Sequence, residues 1–192
     1  MDDLDALVDA ARAGGGWAFG RLWEQLAPSV AAYLRRRGVQ DADDVTSEVF
    51  LAAFRGIARF HGDGPAFRAW LFTIAHHKGV DAVRRPARRE LLVDSFAGSE
   101  SDLLPDGPGP RSAEDEALDR VSGSAALRSL AVLTDDQREV LLLRVVADLS
   151  LAETAQVLGK PVGAVKALQH RALARLRSAV SPDPAAAMWR VT

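Results

Sequence analysis

The chain has 192 residues, 48% hydrophobic and 26% charged, with 24 basic side chains against 26 acidic ones. This is the balance of a globular chain of one or two domains, and the absence of cysteine excludes disulfides, thiolate metal sites and cysteine nucleophiles together. No apolar run approaches the roughly 20 residues of a membrane span, and the acidic opening Met1–Asp5 is unlike a signal peptide, so a cytoplasmic protein without stable membrane insertion is expected.

The periodicity is helical throughout, with no sustained strand alternation. A first helix runs from Leu4 to Ala13 and stops at Gly14-Gly15-Gly16. A second spans Trp17 to Arg37, ends at Gly38 and carries Pro28, a source of kinking. A third opens at Asp41 as N-cap, with Asp43 and Asp44 in the first turn where the helix dipole favours acids, and ends near Phe60. A fourth is capped by Asp63, has Pro65 in its first turn and continues to about Arg85, where Pro86 interrupts it.

The stretch Phe96–Glu116 is rich in Gly, Pro, Ser and Asp and too poor in apolar surface to offset its ordering entropy, so it reads as a flexible linker. Beyond it the pattern predicts a helix over Ala113–Ala131, a second opened by the capping box Thr134-Asp135-Asp136-Gln137 and a short third opened by Ser150-Leu151-Ala152-Glu153. After a Gly159-Lys160-Pro161 turn, a last helix covers Val162–Val180, and Ser181–Thr192 form a loose tail. The expected fold is all-α: two small helical domains, residues 1–90 and 113–180, joined by an acidic linker at 91–112.

Charge is segregated along this plan. Arg55–Arg89 holds eight bases and two acids, net +6; Glu90–Arg120 holds nine acids and two bases, net −7; Lys160–Arg177 holds five bases and no acid. Two basic segments around an acidic one read either as solvated faces or as two nucleic-acid contacts on a tether.

The last two helices have the form of a helix-turn-helix. On the final helix Val165, Leu168, Ala172 and Leu176 share one face, and Gly163, Lys166, Ala167, His170, Ala174 and Arg177 the other. Lys166 and His170 are the base-edge candidates, Arg171, Arg175 and Arg177 the phosphate candidates. The alternative is an ordinary helical hairpin with a solvated basic face.

On the fourth helix Phe67, Leu71, Ile74, Ala75 and Ala82 form a core face, while Trp70, Thr73, His77 and Arg84 make a second stripe suited to stacking on and reading unpaired bases. Trp70 could equally fill a groove of the bundle or support the loop His61–Gly64. Arg84, Arg85, Arg88 and Arg89 cluster around Pro86 and suit duplex phosphates. His76 and His77 with His61 and Asp63 invite a metal reading, but adjacent helical side chains point about 100° apart and rarely share one ion. On the third helix Asp44, Glu48, Leu51 and Arg55 form a polar stripe with an apolar centre, a plausible partner surface, while Val45, Val49, Ala52 and Ala53 turn to the core.

Three segments carry a resemblance. DADDVTSEVFLAAFR (residues 41–55) resembles the polymerase-binding helix of extracytoplasmic-function (ECF) sigma factors, and FRAWLFTIAHHKGVDAVRR (67–85) resembles their promoter-melting helix. Leu133–Arg177, with QREVLLLR (137–144) and VGAVKA (162–167), resembles their second DNA-binding domain. The resemblance implies a transcription initiation factor without catalytic residues, metal or cofactor. Such a protein binds the clamp and flap of core RNA polymerase, reads the −10 promoter element with its N-terminal domain and the −35 element with its C-terminal domain, and assists melting. Promoter DNA and core polymerase are the implied partners, an anti-sigma factor a further one, and the nucleoid the implied location when polymerase is bound. The chain departs from the family pattern at Ala167-Leu168-Gln169, where Ser-Arg-Leu is frequent, at Leu173, where Arg is frequent, and at His77, where Asn is frequent. Leu168 is expected to take the core role there and Gln169 to turn partly outward.

Overall fold

The structure, a computed structural model, describes residues 3–93 and 132–180. Seven helices are found among them: α1 (Leu4–Arg12), α2 (Gly16–Arg37), α3 (Ala42–Gly56), α4 (Gly64–Val93), α5 (Asp135–Val145), α6 (Leu151–Leu158) and α7 (Val162–Val180), with a 3-10 turn at Ile57–Arg59 after α3. The expected helix over Ala113–Ala131, the linker from residue 94 onward and the tail Ser181–Thr192 lie outside the described residues.

Local sequence accounts for most helix ends. Asp3 caps α1 through its side chain on the Asp5 N–H. Asp63 caps α4, its Oδ1 accepting from the Ala66 N–H at 2.9 Å. Thr134 with Gln137 and Ser150 with Glu153 both form reciprocal capping boxes, which satisfy helix-end donors that would otherwise be orphaned. α3 ends sooner than the sequence suggests, at Gly56, and the chain tightens into the 3-10 turn before Phe60.

Neither internal proline ends its helix. α2 runs unbroken through Pro28. α4 continues through Pro86 to Val93, so it does not stop near Arg85, and residues 91–93 belong to the helix rather than to the linker. A proline removes one N–H donor and crowds the carbonyl four residues back, a penalty of about 3 kcal/mol. Around Pro86 the helix formers Arg85, Ala87, Arg88, Arg89, Glu90, Leu91 and Leu92 oppose that penalty.

α1 to α4 enclose an apolar core in which Leu7, Val8, Leu22, Val30, Tyr33, Leu34, Val49, Phe50, Phe67, Leu71 and Phe72 are fully or almost fully buried. On α3 the inward side is Val45, Val49 and Ala53, with Ala52 half-buried; on α4 it is Phe67, Leu71 and Ala75, with Ile74 and Ala82 half-buried. Gly79 lets α4 close on α2: a Cβ there would stand 3.1 Å from side-chain atoms of both Leu34 and Arg37. α5, α6 and α7 make a second unit with two apolar clusters of its own, Leu133–Leu141–Ala172 and Val140–Ala155–Val165. The two units also dock on each other: Leu142, Leu143, Ala147, Leu149 and Val157 join the large cluster built by α1 to α4.

Candidate nucleic-acid interface

α6 and α7 form the helix-turn-helix. Gly159 takes φ +60°, a left-handed conformation that a side chain would strain, and closes α6 by donating to the Gln156 carbonyl. α7 then buries Val165 and Ala172 and half-buries Leu168, Leu173 and Leu176. Lys166, Ala167, His170, Arg171, Arg175 and Arg177 are all exposed, so the division of faces read from the sequence is the one observed. Leu168 packs against the Val140–Ala155–Val165 cluster, while Gln169 is half-buried, its Oε1 enclosed without a hydrogen-bond partner. Arg175 has a job inside the unit: its guanidinium lies 3.4 Å from both the Val132 carbonyl and Gln137 Oε1, tying α7 to the N-terminal end of α5.

On α4 the four residues of the second stripe sit in different surroundings. His77 and Arg84 are exposed and Thr73 is half-buried, its hydroxyl donating to the Ala69 carbonyl at 2.9 Å. Trp70 is half-buried and stacked on Phe60, centroids 5.1 Å apart and planes 24° apart, with Phe67 at 5.8 Å. Its ring also covers Gly56, where a Cβ would meet it at 3.0 Å. Trp70 thus braces the segment leading into the exposed loop His61–Asp63, whose far end is tied down by the Gly64 N–H donating to Asp5 Oδ1. Arg85, Arg88 and Arg89 fall on the last turns of the α4 backbone; the expectation for their side chains lies outside the described residues. His76 and His77 serve different neighbours, His76 turning inward to Glu139 and His77 to solvent.

The α3 stripe is continuous and exposed: Asp44, Glu48, Leu51 at 49% and Arg55. Glu48 pairs with Lys78 of α4 at 2.8 Å.

The sequence reading missed a buried ionic cluster. Tyr33 and Arg37 from α2 and His76 from α4 converge on the carboxylate of Glu139 from α5. The Tyr33 hydroxyl donates to Oε1, Arg37 pairs with Oε2, and His76 Nδ1 lies 2.8 Å from Oε1. Arg37 also donates to the Tyr33 hydroxyl at 3.0 Å. Burial pushes the Glu139 carboxyl upward, but the bond from His76, the charge of Arg37 and the bond from Tyr33 outweigh it and hold the group below the usual carboxylate range. Burial, reinforced by the Glu139 charge, pushes the Tyr33 phenol well above its ordinary value. The sequence signals were an acid set against the run Val140–Leu143 and the chain's single tyrosine.

Comparison with known proteins agrees with this division. The "Sigma-70 region 2" family matches residues 22–89 and "Sigma-70, region 4" matches residues 129–178. The chain is 39% identical over 188 residues to the ECF RNA polymerase sigma factor BldN of Streptomyces coelicolor, a match covering 93% of this chain and 66% of that one. It is 37% identical over 183 residues to the ECF RNA polymerase sigma factor SigD of Mycobacterium tuberculosis, covering 92% and 84%. Among solved structures, CnrH in complex with the cytosolic domain of CnrY superposes with a TM-score of 0.68 at 29% identity, covering 94% of this chain and 99% of that one. With an exposed basic helix in a helix-turn-helix, a long amphipathic α4 and both regions matched in order, the chain belongs to the ECF sigma factors of bacterial RNA polymerase.

Proposed function

We propose that the promoter-directing activity of this sigma factor is divided among three surfaces. The α3 stripe of Asp44, Glu48, Leu51 and Arg55 docks on the polymerase clamp, Leu51 as apolar anchor within a charged rim. On α4, His77 reads the −10 element in single-stranded form and Thr73 assists with its hydroxyl lone pairs. Arg84, Arg85, Arg88 and Arg89 hold duplex phosphates upstream, and Trp70 shapes the His61–Gly64 loop beside the unpaired bases. On α7, Lys166, His170 and Arg171 read the −35 major groove over Ala167, while Arg175 and Arg177 hold its backbone; each good base contact contributes about 1–3 kcal/mol of discrimination. Residues 1–90 and 113–180 are the two functional domains. The acidic linker, which begins after Val93 and runs to residue 112, lies along the positive walls of polymerase channels built for nucleic acid, and 181–192 is a tail. The factor works in the cytoplasm, on the nucleoid, without catalysis of its own and under the control of an anti-sigma partner.

The observation that carries this reading is the pairing, on one chain, of an exposed basic recognition helix with an acid–leucine stripe on α3 whose Asp44, Glu48, Leu51 and Arg55 are all exposed. A helix-turn-helix regulator acting without polymerase has no use for that stripe. The test is co-purification of core polymerase with the double variant Asp44→Arg, Glu48→Arg. The expected result is loss of core binding with the helical circular dichroism intact. Undiminished co-purification refutes the assignment of the stripe.

A further inference from the structure

We propose that Glu139 is an ionic latch that holds the two helical units closed on each other, and that this closed form is inactive, so the latch lowers the affinity for core polymerase. The inference rests on the sigma-factor reading of the two units.

Three donors from one unit meet one carboxylate from the other. Tyr33 and Arg37 come from α2, His76 from α4 and Glu139 from α5; Arg37 and Glu139 retain only 16% and 12% side-chain exposure. Around this polar centre, Leu142, Leu143, Ala147, Leu149 and Val157 pack into the apolar cluster of α1 to α4. A buried pair of this kind adds little net stability over apolar packing, but losing one partner leaves the other charge stranded. It therefore fixes a docking register. Each unit keeps apolar packing that does not involve the latch. The α5–α7 unit holds its Leu133–Leu141–Ala172 and Val140–Ala155–Val165 clusters, and every polar group of the latch can return to water when the units part.

The closed form cannot engage a promoter with both units. Elements centred at −10 and −35 lie about 25 base pairs apart, roughly 85 Å at 3.4 Å per step. A compact body of this size has a radius of gyration of about 14 Å, and its longest helix, α4, is about 45 Å long, both far short of that span. Reading both elements requires the units to separate, and residues 94–131 join them in the sequence. If the open form is a minor population, the apparent dissociation constant for polymerase exceeds the intrinsic one by the inverse of the open fraction.

The chain has no native cysteine, so spin labels on Ala13→Cys and Gln156→Cys, exposed sites at the end of α1 and on α6, report the separation of the units in the full-length protein. The parent should give one narrow, short distance. Glu139→Lys replaces the carboxylate with a positive charge facing Arg37 and should give a long, broad distribution with unchanged helical circular dichroism. It should also bind core polymerase about tenfold more tightly. The charge swap Arg37→Glu with Glu139→Arg should restore both the short distance and the parental affinity. A Glu139→Lys protein that keeps the parental distance overturns the latch, as does a swap that stays open. An opened variant with unimproved core affinity overturns its inhibitory role. A parent that binds no core polymerase would instead defeat the sigma-factor reading of the surfaces, leaving the distance measurement to judge the latch alone.

Discussion

Replacing Trp70 by alanine separates two roles that a half-buried indole can play. The ring stacks on Phe60, leans on Phe67 and roofs Gly56. A fully buried tryptophan truncated to alanine costs about 3–5 kcal/mol. Trp70 is only partly covered, so roughly half of that applies, and the aromatic stack contributes about 0.5–1.5 kcal/mol more. A loss of about 2–4 kcal/mol is expected, a fall in melting temperature of roughly 4–16 °C for a chain of this length. Trp70→Phe, which can still stack on Phe60, should recover more than half of it. Differential scanning calorimetry measures both variants, and permanganate footprinting follows promoter opening below the melting point. A bracing residue lowers stability in step with the order of the His61–Gly64 loop. A side chain used only to stack on a base would leave the melting temperature nearly unchanged and cost opening alone, about 1–3 kcal/mol. Trp70→Ala with parental stability and defective opening would refute the bracing role derived from its contacts.

On the recognition helix, Lys166→Ala should relax the −35 preference at one or two adjacent base pairs, by about 1–3 kcal/mol, in transcription from a randomised −35 library. Arg175→Ala should weaken all −35 variants alike and also lower the melting temperature, because Arg175 ties α7 to Val132 and Gln137; equal factors across the library for both substitutions would rule out base reading by Lys166. Protonating Glu139 should weaken the docking of the two units. Its native pKa is depressed, so its contribution is present above the ordinary value of 4.5 and is lost as pH falls below it through the native value. Fluorescence-monitored melting over that range should show a steeper acid loss in the parent than in Glu139→Gln, with Tyr33, Arg37 and His76 the facing groups in both; parallel curves would exclude the linkage.

What the sequence made legible was local. The two capping boxes, the Asp63 cap, the Gly159 turn and the two faces of α7 each depend on residues within a turn or two of one another, where spacing alone decides geometry. The polar stripe of α3 was readable for the same reason. Pro86 was over-weighted: one missing donor does not stop a helix whose flanking residues all favour it. Trp70 stayed ambiguous because its packing depends on Phe60 and Gly56, brought beside it only by the turn after α3. The Glu139 cluster was invisible because Tyr33 and Glu139 stand 106 positions apart, and no periodicity encodes a pairing between units. Their separate characters, a lone tyrosine and an acid beside an apolar run, indicated unusual surroundings but not each other.

The unbroken course of α4 turns sequence distance into physical distance. At 1.5 Å per residue, the 30 residues of Gly64–Val93 form a rod about 45 Å long. His77 and Arg84 are seven residues apart, two turns within about 20° of the same azimuth and about 10 Å along the axis, close to three steps of stacked bases. A helix stopped near Arg85 would have left the positions beyond it on a hinge, free to follow DNA of any path. A continuous one makes them the far end of a gauge. Under the proposed roles of His77 and the arginines beyond it, the place where strands begin to part and the place where the duplex is still paired are then measured against each other in whole helical turns, by a scale whose graduations are the residues themselves.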